Sequence, residues 1–300
     1  MNDTRSFRFD TMPSLLGSYW RILASRKSRS LEDGQVVPRL EAVAPNAAVS
    51  RAHLARYREI CGIPKSDILP IAYLHVLAMP LHMALMTSKA FPVNIAGFVH
   101  IRSRLIQAAP VPSEARGELR TWIHGHQQSV LGQEYTLHTQ FRFRDDVVWT
   151  EECTYLARRK ARLDRSRIRE LREARVPEFP QPGTAHAQRF RVSAAMARRY
   201  AWNSGDWNPI HLTDMTSRAF GFDRAMIHGM WSLARCAGTF SPEALREPFT
   251  LDAYFKAPAF LPADLVVYTW DTELGEAFAL RNSDNQKPHL TGALTFSAPR

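Results

Sequence analysis

Residues 204–211 read Ser-Gly-Asp-Trp-Asn-Pro-Ile-His, which places the carboxylate of Asp206 and the imidazole of His211 on one short segment. Pro209 restricts the backbone and Asn208 can bond nearby amides, so we expect a rigid turn and not a single helix face. Two bases on one side of a cleft can bind a water molecule between them. Asp206 would then remove a proton from the water while His211 orients it, or the roles are reversed. The pair therefore predicts the addition or removal of water.

A second segment, His228-Gly229-Met230, opens an apolar stripe typical of a helix buried on one face. The first N–H groups of a helix are free and its dipole favours negative charge, so Gly229 is a candidate oxyanion donor. Its missing side chain lets a substrate approach the backbone. Water addition to a double bond conjugated to a thioester builds negative charge on the thioester oxygen, and a donor there is worth ~3–4 kcal/mol. We predict that Asn208, His228 and Met230 contact the substrate.

Each segment also has a simpler interpretation. Ser-Gly-Asp-x-Asn-Pro alone is usually only a turn, and a lone histidine more often makes structural hydrogen bonds than it catalyses. Both segments together, in this order and beside predicted helix starts, favour a functional site. Asp206, His211 and His228 are also residue types that bind metals, but no further ligand stands at a familiar spacing. We therefore predict neither a metal nor a cofactor.

The segment 200–230 resembles the MaoC-like dehydratases, a family that includes the (R)-specific enoyl-CoA hydratases. The shared motifs are Ser-Gly-Asp-x-Asn-Pro-Ile-His, Gly221-Phe222 and Ile227-His228-Gly229-Met230, continued more loosely by Phe255-Lys256-Ala257-Pro258. The resemblance implies a hot-dog fold, in which an antiparallel sheet wraps one long helix. It also implies that Asp206 and His211 are the catalytic pair and that the Gly229 amide is the oxyanion donor. A serine that the family commonly carries on the central helix is replaced here by Ala237.

The activity that the resemblance implies is that of a hydro-lyase. The enzyme would hydrate trans-2-enoyl thioesters with (R) specificity, or dehydrate (R)-3-hydroxyacyl thioesters, on coenzyme A or an acyl carrier protein. A hot-dog thioesterase is an alternative, but such enzymes usually need an acidic residue on the central helix, and residues 230–238 contain none. A non-catalytic acyl-binding protein is a further alternative, which the intact Asp206, His211 and Gly229 disfavour.

The elements that must position these residues lie in the second half of the chain. Ser193 can cap a helix that reaches Ala201, shortly before the Asp206 loop, and a second helix starts near Gly229. Alternating apolar residues predict strands at 186–192, 250–256, 265–272, 277–282 and 290–296.

The first half repeats this order of elements. Ser50 can cap a short helix, and an apolar helical stretch follows at 73–86, with Pro80 expected to restart it. Alternating patterns predict strands at 98–106, 135–143 and 147–155. This half resembles the catalytically empty hot-dog of two-hot-dog family members, since Asp67 is followed five positions later by Ala72 and not by histidine.

The apolar helical stretch of the first half carries histidines and methionines. We expect His75 and His82 to be buried structural residues. The flexible Met79, Met83 and Met86 suit the wall of a tunnel for an acyl chain. The first half is therefore predicted to give room to the substrate and to perform no chemistry.

The predicted class is α+β, a double hot-dog. We place the boundaries at residues 1–35 for an extension that packs loosely or forms a basic arm, 36–157 for the degenerate hot-dog, 158–184 for a basic, proline-rich linker and 185–300 for the catalytic hot-dog. Two hot-dogs in one chain fit either a monomer or a homodimer.

A net charge of +10 favours an anionic partner. The basic run from Arg158 to Arg175 is either a solvated helix or a surface that attracts the phosphates of coenzyme A or an acidic carrier protein. Aromatic residues do not interleave it, so nucleic acid is not expected. The longest apolar stretch, 68–86, is interrupted by tyrosine, histidine and proline, so no membrane span is expected. Three scattered cysteines and a polar N-terminus predict a cytoplasmic protein.

Overall fold

The structure, a computed structural model, describes residues 4–32, 34–158, 185–283 and 288–296. Its helices are α1 (Leu15–Leu23), α2 (Arg51–Cys61), α3 (Tyr73–Met86), α4 (Ala194–Ser204), α5 (Asp214–Arg218) and α6 (Gly229–Ala237). Its strands are β1 (Arg5–Arg8), β2 (Leu40–Ala48), β3 (Val99–Gln107), β4 (Arg116–Ile123), β5 (Gln127–Ser129), β6 (Gly132–Phe143), β7 (Asp146–Arg158), β8 (His186–Val192), β9 (Phe249–Phe255), β10 (Ala263–Thr272), β11 (Gly275–Asn282) and β12 (Pro288–Phe296). Short 3₁₀ turns lie at Pro209–His211 and Ala244–Arg246.

In the described residues, the strands form a single sheet in the order β1-β2-β4-β6-β7-β3-β9-β12-β11-β10-β8, with β5 on the edge of β6. The N-terminal half of the sheet ends at β3 and the C-terminal half begins at β9. These two strands pair antiparallel, from Arg102 opposite Tyr254 to Gln107 opposite Phe249. Arg102 donates to Asp252 at 2.7 Å across this seam. One continuous sheet therefore serves both halves.

The N-terminal half of the sheet packs on α3, the apolar helix that the sequence predicts. Because α3 is apolar on every face, it is buried on nearly all sides. Leu81 and Leu85 are fully buried, and Trp149 of β7 donates its indole N–H to the carbonyl of Ile71 just before the helix. Pro80 lies inside one continuous helix and does not restart it, although its ring removes one helical hydrogen bond.

The C-terminal half of the sheet packs on α6, which contacts β11 and β12. The alternating residues of β9 to β12 turn one face of each strand toward this helix, as the sequence predicts. Leu233 and Cys236 of α6 are fully buried against that face. Each half is thus a sheet wrapped around one helix, and the predicted α+β double hot-dog is confirmed.

The N-terminal extension packs more firmly than the sequence predicts. Strand β1 pairs parallel with β2, and α1 is capped by the side chain of Ser14. Tyr19 of α1 reaches residues 205–207 of the second half. The expectation of loose packing was wrong because the partners of this segment are distant in sequence and leave no periodic signal near it.

The remaining expectations about organisation concern the boundaries. The basic run and the proline-rich linker at 158–184 lie outside the described residues apart from Arg158, so the proposed boundary there stays a prediction. In the part of the chain that the structure describes, no helix is long and apolar enough to cross a membrane.

Candidate active site

The loop after α4 owes its shape to local hydrogen bonds. Helix α4 ends where Gly205 adopts a left-handed conformation, φ 74°, which glycine tolerates without strain. The Asp206 carboxylate accepts the Asn208 N–H at 3.2 Å, and the Asn208 side chain caps the 3₁₀ turn that ends at His211. This is the rigid turn that the spacing of proline and asparagine predicts.

His211 is buried, and its Nδ1–H donates to the carbonyl of Met226 at 2.8 Å. That hydrogen bond selects the tautomer in which Nε2 carries the lone pair. The ring of His228 stacks on it with centroids 3.8 Å apart. Imidazole orientation and tautomer are therefore both fixed, so that Nε2 is a hydrogen-bond acceptor.

His228 lies at the N-cap of α6 and is almost fully buried. Its Nε2–H donates to the backbone carbonyl of Asp206 at 3.0 Å, which ties the Asp206 loop to the start of the helix. Unlike its neighbours, it is not among the residues that line the cavity described below. The structure thus favours a positioning role for His228 over the substrate contact that we predict from the sequence.

Gly229 is the first residue of α6, so its N–H has no acceptor within the helix. A Cβ atom at this position would stand 2.8 Å from the ring of Phe255 in β9. Glycine is needed because the aromatic ring presses on the backbone here. The N–H of Gly229 is therefore held at the cavity wall by packing as well as by the helix.

The charges of the loop follow from burial and from its neighbours. Burial lowers the pKa of both imidazoles, that of His228 to about 3, and the nearby Asp206 charge only partly offsets this. Burial alone would raise the pKa of Asp206, but His228, His211 and the Asn208 N–H outweigh it and hold that pKa below its ordinary value. At neutral pH the loop presents an ionised carboxylate beside neutral rings.

A cavity of about 1410 Å³ opens over this loop. Asp206, Asn208, His211, Gly229 and Met230 all line it. The structure therefore brings the predicted catalytic residues into one space, together with two of the three residues that we predict to contact the substrate.

The same cavity extends into the N-terminal half along one face of α3. His75, Met79, Met83 and Met86 line it and follow one another at helical spacing. The three methionines are where the sequence predicts the wall of an acyl tunnel. From His75 to Met86 the stripe runs roughly 16 Å along the helix axis.

Tyr19 is a functional candidate that the sequence does not disclose. Its hydroxyl donates to the carbonyl of Gly205 at 3.0 Å and accepts the N–H of Trp207 at 2.7 Å, on either side of Asp206. Leu15 of the same helix packs so tightly on Gly205 that a Cβ there would lie 2.2 Å from its methyl group. Helix α1 thereby holds in place the backbone of Asp206, the candidate base.

A second polar group lies at the N-terminal end of the row of α3 residues that line the cavity. His75 Nδ1 lies 2.9 and 3.0 Å from the two carboxylate oxygens of the buried Glu151. His82, about two turns further along the helix, contacts the Thr139 hydroxyl through Nε2 at 2.7 Å. Both histidines are buried, as predicted, but His75 also lines the cavity.

Two sets of side chains in the described ranges bring three atoms of metal-ligand type within 4.8 Å of one another. They are Asp206 with His211 and His228, and Glu151 with His75 and His82. Several of their ring nitrogens already contact protein groups, namely backbone carbonyls in the first set and Glu151 and Thr139 in the second. That the protein uses no metal stays a prediction.

Comparison with known proteins finds sequences similar to this chain. Residues 177–293 match the family model described as MaoC like domain. The chain is 28% identical over 269 residues to 3-hydroxyacyl-thioester dehydratase X of Mycobacterium tuberculosis, a match that covers 86% of this chain and 92% of that protein.

Solved structures agree with that match. The crystal structure of HtdX from Mycobacterium tuberculosis aligns with a TM-score of 0.70 at 25% identity, over 85% of this chain and 98% of that one. A MaoC-like dehydratase from Phytophthora capsici, 17% identical, aligns with a TM-score of 0.69 over 90% of this chain and 99% of that one, and so shares the fold. The resemblance that the loop motifs indicate is confirmed.

Proposed function

We propose that this chain, whose residues 177–293 are a MaoC-like domain, is a hydro-lyase that hydrates trans-2-enoyl thioesters and dehydrates 3-hydroxyacyl thioesters. The observation that carries the proposal is that Asp206, His211 and the helix-initial Gly229 line one cavity. The printed name of the related dehydratase X assigns it this class of reaction. Base, oxyanion donor and room for an acyl chain are what such a reaction needs.

In the hydration direction, a water molecule is held between the Asp206 carboxylate and the lone pair of His211 Nε2. One of these bases takes a proton from the water as its oxygen bonds to C3 of the enoyl chain. Negative charge moves to the thioester oxygen, where the Gly229 N–H and the positive end of α6 stabilise it. The proton is then returned to C2, so that one water has been added, and dehydration follows the same steps in reverse.

The cavity supports an acyl chain attached to a phosphorylated carrier. Apolar side chains of α3 line the part that lies in the N-terminal half. Arg29, Arg158 and Lys256 are cationic residues elsewhere on its wall, and cations of this kind suit the phosphates of coenzyme A or of a carrier-protein arm. We propose an acyl thioester of one of these carriers as substrate, and a cytoplasmic location from the cysteine pattern.

The thioesterase alternative needs a nucleophile or an activated acid. Cys153 lies 3.5 Å from His75 Nδ1, but the same nitrogen faces Glu151, so the ring cannot relay a proton between the two. Burial raises the pKa of Cys153 well above its ordinary value, which keeps the thiol protonated. These residues therefore do not favour hydrolysis.

The experiment that tests the proposal compares hydration with hydrolysis. Purified protein is given crotonyl-CoA and then longer trans-2-enoyl-CoA substrates, and loss of the conjugated enoyl absorbance is followed beside release of free thiol. We expect hydration without thiol release, and an (R)-3-hydroxybutyryl product by chiral analysis. Thiol release without hydration would establish the thioesterase, an (S) product would reject the stereochemistry, and no reaction with any enoyl chain length would leave an acyl-binding protein.

A further inference from the structure

The pair formed by His75 and Glu151, at the N-terminal end of the cavity-lining row on α3, takes no part in the mechanism above. His75 is 2% exposed and Glu151 is 1% exposed, and they bond to each other inside the N-terminal half. Removing two such charges from water is unfavourable unless each finds further partners. The position of this buried pair at the wall of a binding cavity points to a role in binding.

The orientation of His75 is set by the pairing. Its Nδ1 is turned to Glu151, and its other nitrogen, Nε2, has no hydrogen-bond partner in the described part of the chain. The residue lines the cavity, whereas Glu151 does not. Nε2–H is therefore the polar group that the pair offers to the contents of the cavity.

The charge of the pair follows from its surroundings. Burial alone would lower the pKa of His75, but Glu151, with a smaller contribution from the charge of Asp206, outweighs burial and raises it, while the pKa of Glu151 is lowered. Two further rings of this half, His82 and His100, have pKa values lowered by burial to about 3 and stay neutral. His75 is thus an imidazolium neutralised by its own carboxylate, with one N–H free to donate.

The position of the pair relative to the reaction centre is given by a chain of aromatic contacts. Phe255 presses on Gly229, and the His100 ring lies 4.7 Å from the Phe255 ring and 6.0 Å from the His75 ring. On the other side of His75 the methionine stripe begins. His75 therefore lies between the thioester end of the cavity and its apolar end, where the first carbons of the acyl chain beyond the double bond would pass.

We propose that His75, held by Glu151, forms a polar subsite for an oxo or hydroxyl oxygen on the acyl chain, so that the preferred substrates are oxygen-substituted enoyl thioesters. A neutral oxygen is favoured over a carboxylate because Glu151 already balances the imidazolium charge. The proposal rests on the proposed hydratase function and names its substrate class. A site built to donate a hydrogen bond discriminates against the analogue that lacks the acceptor.

The test uses six-carbon trans-2-enoyl-CoA substrates that differ only at C5, which carries hydrogen, hydroxyl or an oxo group. We expect the wild-type protein to hydrate an oxygenated substrate with a kcat/KM at least about tenfold above that of the plain chain. Equal values for the three substrates would overturn the subsite. Failure to hydrate any of them would instead count against the hydratase function itself, so the two failures are distinguishable.

Variants then assign the preference to the pair. In His75→Leu/Glu151→Leu both charges are replaced by apolar groups of similar size, a change that buried ion pairs often tolerate. His75→Phe/Glu151→Gln, which keeps a ring at position 75 and removes both the N–H and the two charges, is a second route if the leucine variant does not fold. The ratio of kcat/KM for oxygenated and plain substrates should collapse toward one in either variant. An unchanged ratio would overturn the proposal, because losses common to both substrates cancel in it.

Discussion

The two halves have the same order of elements but differ in the segment that leads into the central helix. In the C-terminal half, residues 205–228 join α4 to α6 and contain Asp206 and His211. In the N-terminal half, the shorter segment 62–72 joins α2 to α3. Its acidic residue, Asp67, is exposed and paired with Arg246, and it has no histidine beside it. We therefore expect the chemistry to depend on this connection and not on the hot-dog fold alone.

The central helices differ in a complementary way. Helix α6 brings a glycine N–H to the cavity at its first residue, while α3 contributes a row of side chains along its length. Under the proposed function, the N–H of Gly229 acts at the reacting thioester, and the side chains of α3 contact the acyl chain. One asymmetric site has thus been made from two similar halves, each of which supplies what the other lacks.

The largest expected effect is on kcat, and it should differ between the two segments that lead into the central helices. Asp206→Asn and His211→Ala each remove one base, and we expect kcat to fall by about 10²–10⁴ in each variant. Asp67→Asn is the matched change in the N-terminal segment and should leave kcat within the error of the assay. If both the Asp206 and the His211 variants kept near-full hydration activity, the proposed difference between the two segments would be wrong. A large loss of activity in the Asp67 variant would contradict it as well.

A second effect concerns the starts of the helices. Gly229→Ala and Gly229→Pro both place a Cβ against Phe255, but only proline removes the N–H. His228 already has the extended backbone that precedes proline comfortably, and proline suits the first turn of a helix. We expect the proline variant to have a kcat about 10²–10³ below that of the alanine variant. Equal values in the two variants would show that this N–H does not stabilise the oxyanion.

A third effect concerns the stripe on α3. Met83→Trp narrows the cavity, and we expect kcat/KM for a twelve-carbon enoyl thioester to fall by about 10–100-fold, since each buried methylene is worth ~0.8 kcal/mol. The four-carbon substrate should lose much less, and Met83→Leu, which conserves volume, should shift the preference less than tryptophan does. Equal losses at both chain lengths would mean damaged packing and no role in selecting the chain.

The smallest effect concerns the clamp from α1. Tyr19→Phe keeps the ring and removes the hydroxyl that holds both sides of Asp206, so we expect about a tenfold loss of kcat, or ~1.4 kcal/mol. KM and the melting temperature should change little. Trp20→Phe, on the exposed face of the same helix, is the control. A rise in KM with unchanged kcat would assign Tyr19 to binding and not to positioning the base.

Much of this arrangement could be predicted from local sequence. The loop motifs predict the turn, the two candidate bases Asp206 and His211, and the glycine at the first position of a helix. Each of these features depends on neighbours within a few positions. Strands β9 to β12 alternate regularly and are visible for the same reason. The α+β class and the reaction class implied by the resemblance agree with the comparisons.

What could not be predicted depends on long-range contacts. Strand β2 was missed because Pro45 and Asn46 interrupt it and its register shifts there. The contact between Tyr19 and Gly205 joins residues 186 positions apart, and no periodicity reports such a pairing. The pairing of His75 with Glu151 likewise joins a helix to a strand far along the chain, so no local pattern places His75 in the cavity wall.

If the two unequal halves form one site, each chain binds one substrate, and the number of substrates bound per chain can be measured. The His211→Ala variant, which should bind without turning over, is titrated with trans-2-decenoyl-CoA by isothermal titration calorimetry. We expect one thioester per chain, with weaker binding when Met83→Trp is added. Two thioesters per chain, or binding that the added tryptophan leaves unchanged, would contradict a single cavity shared by both halves.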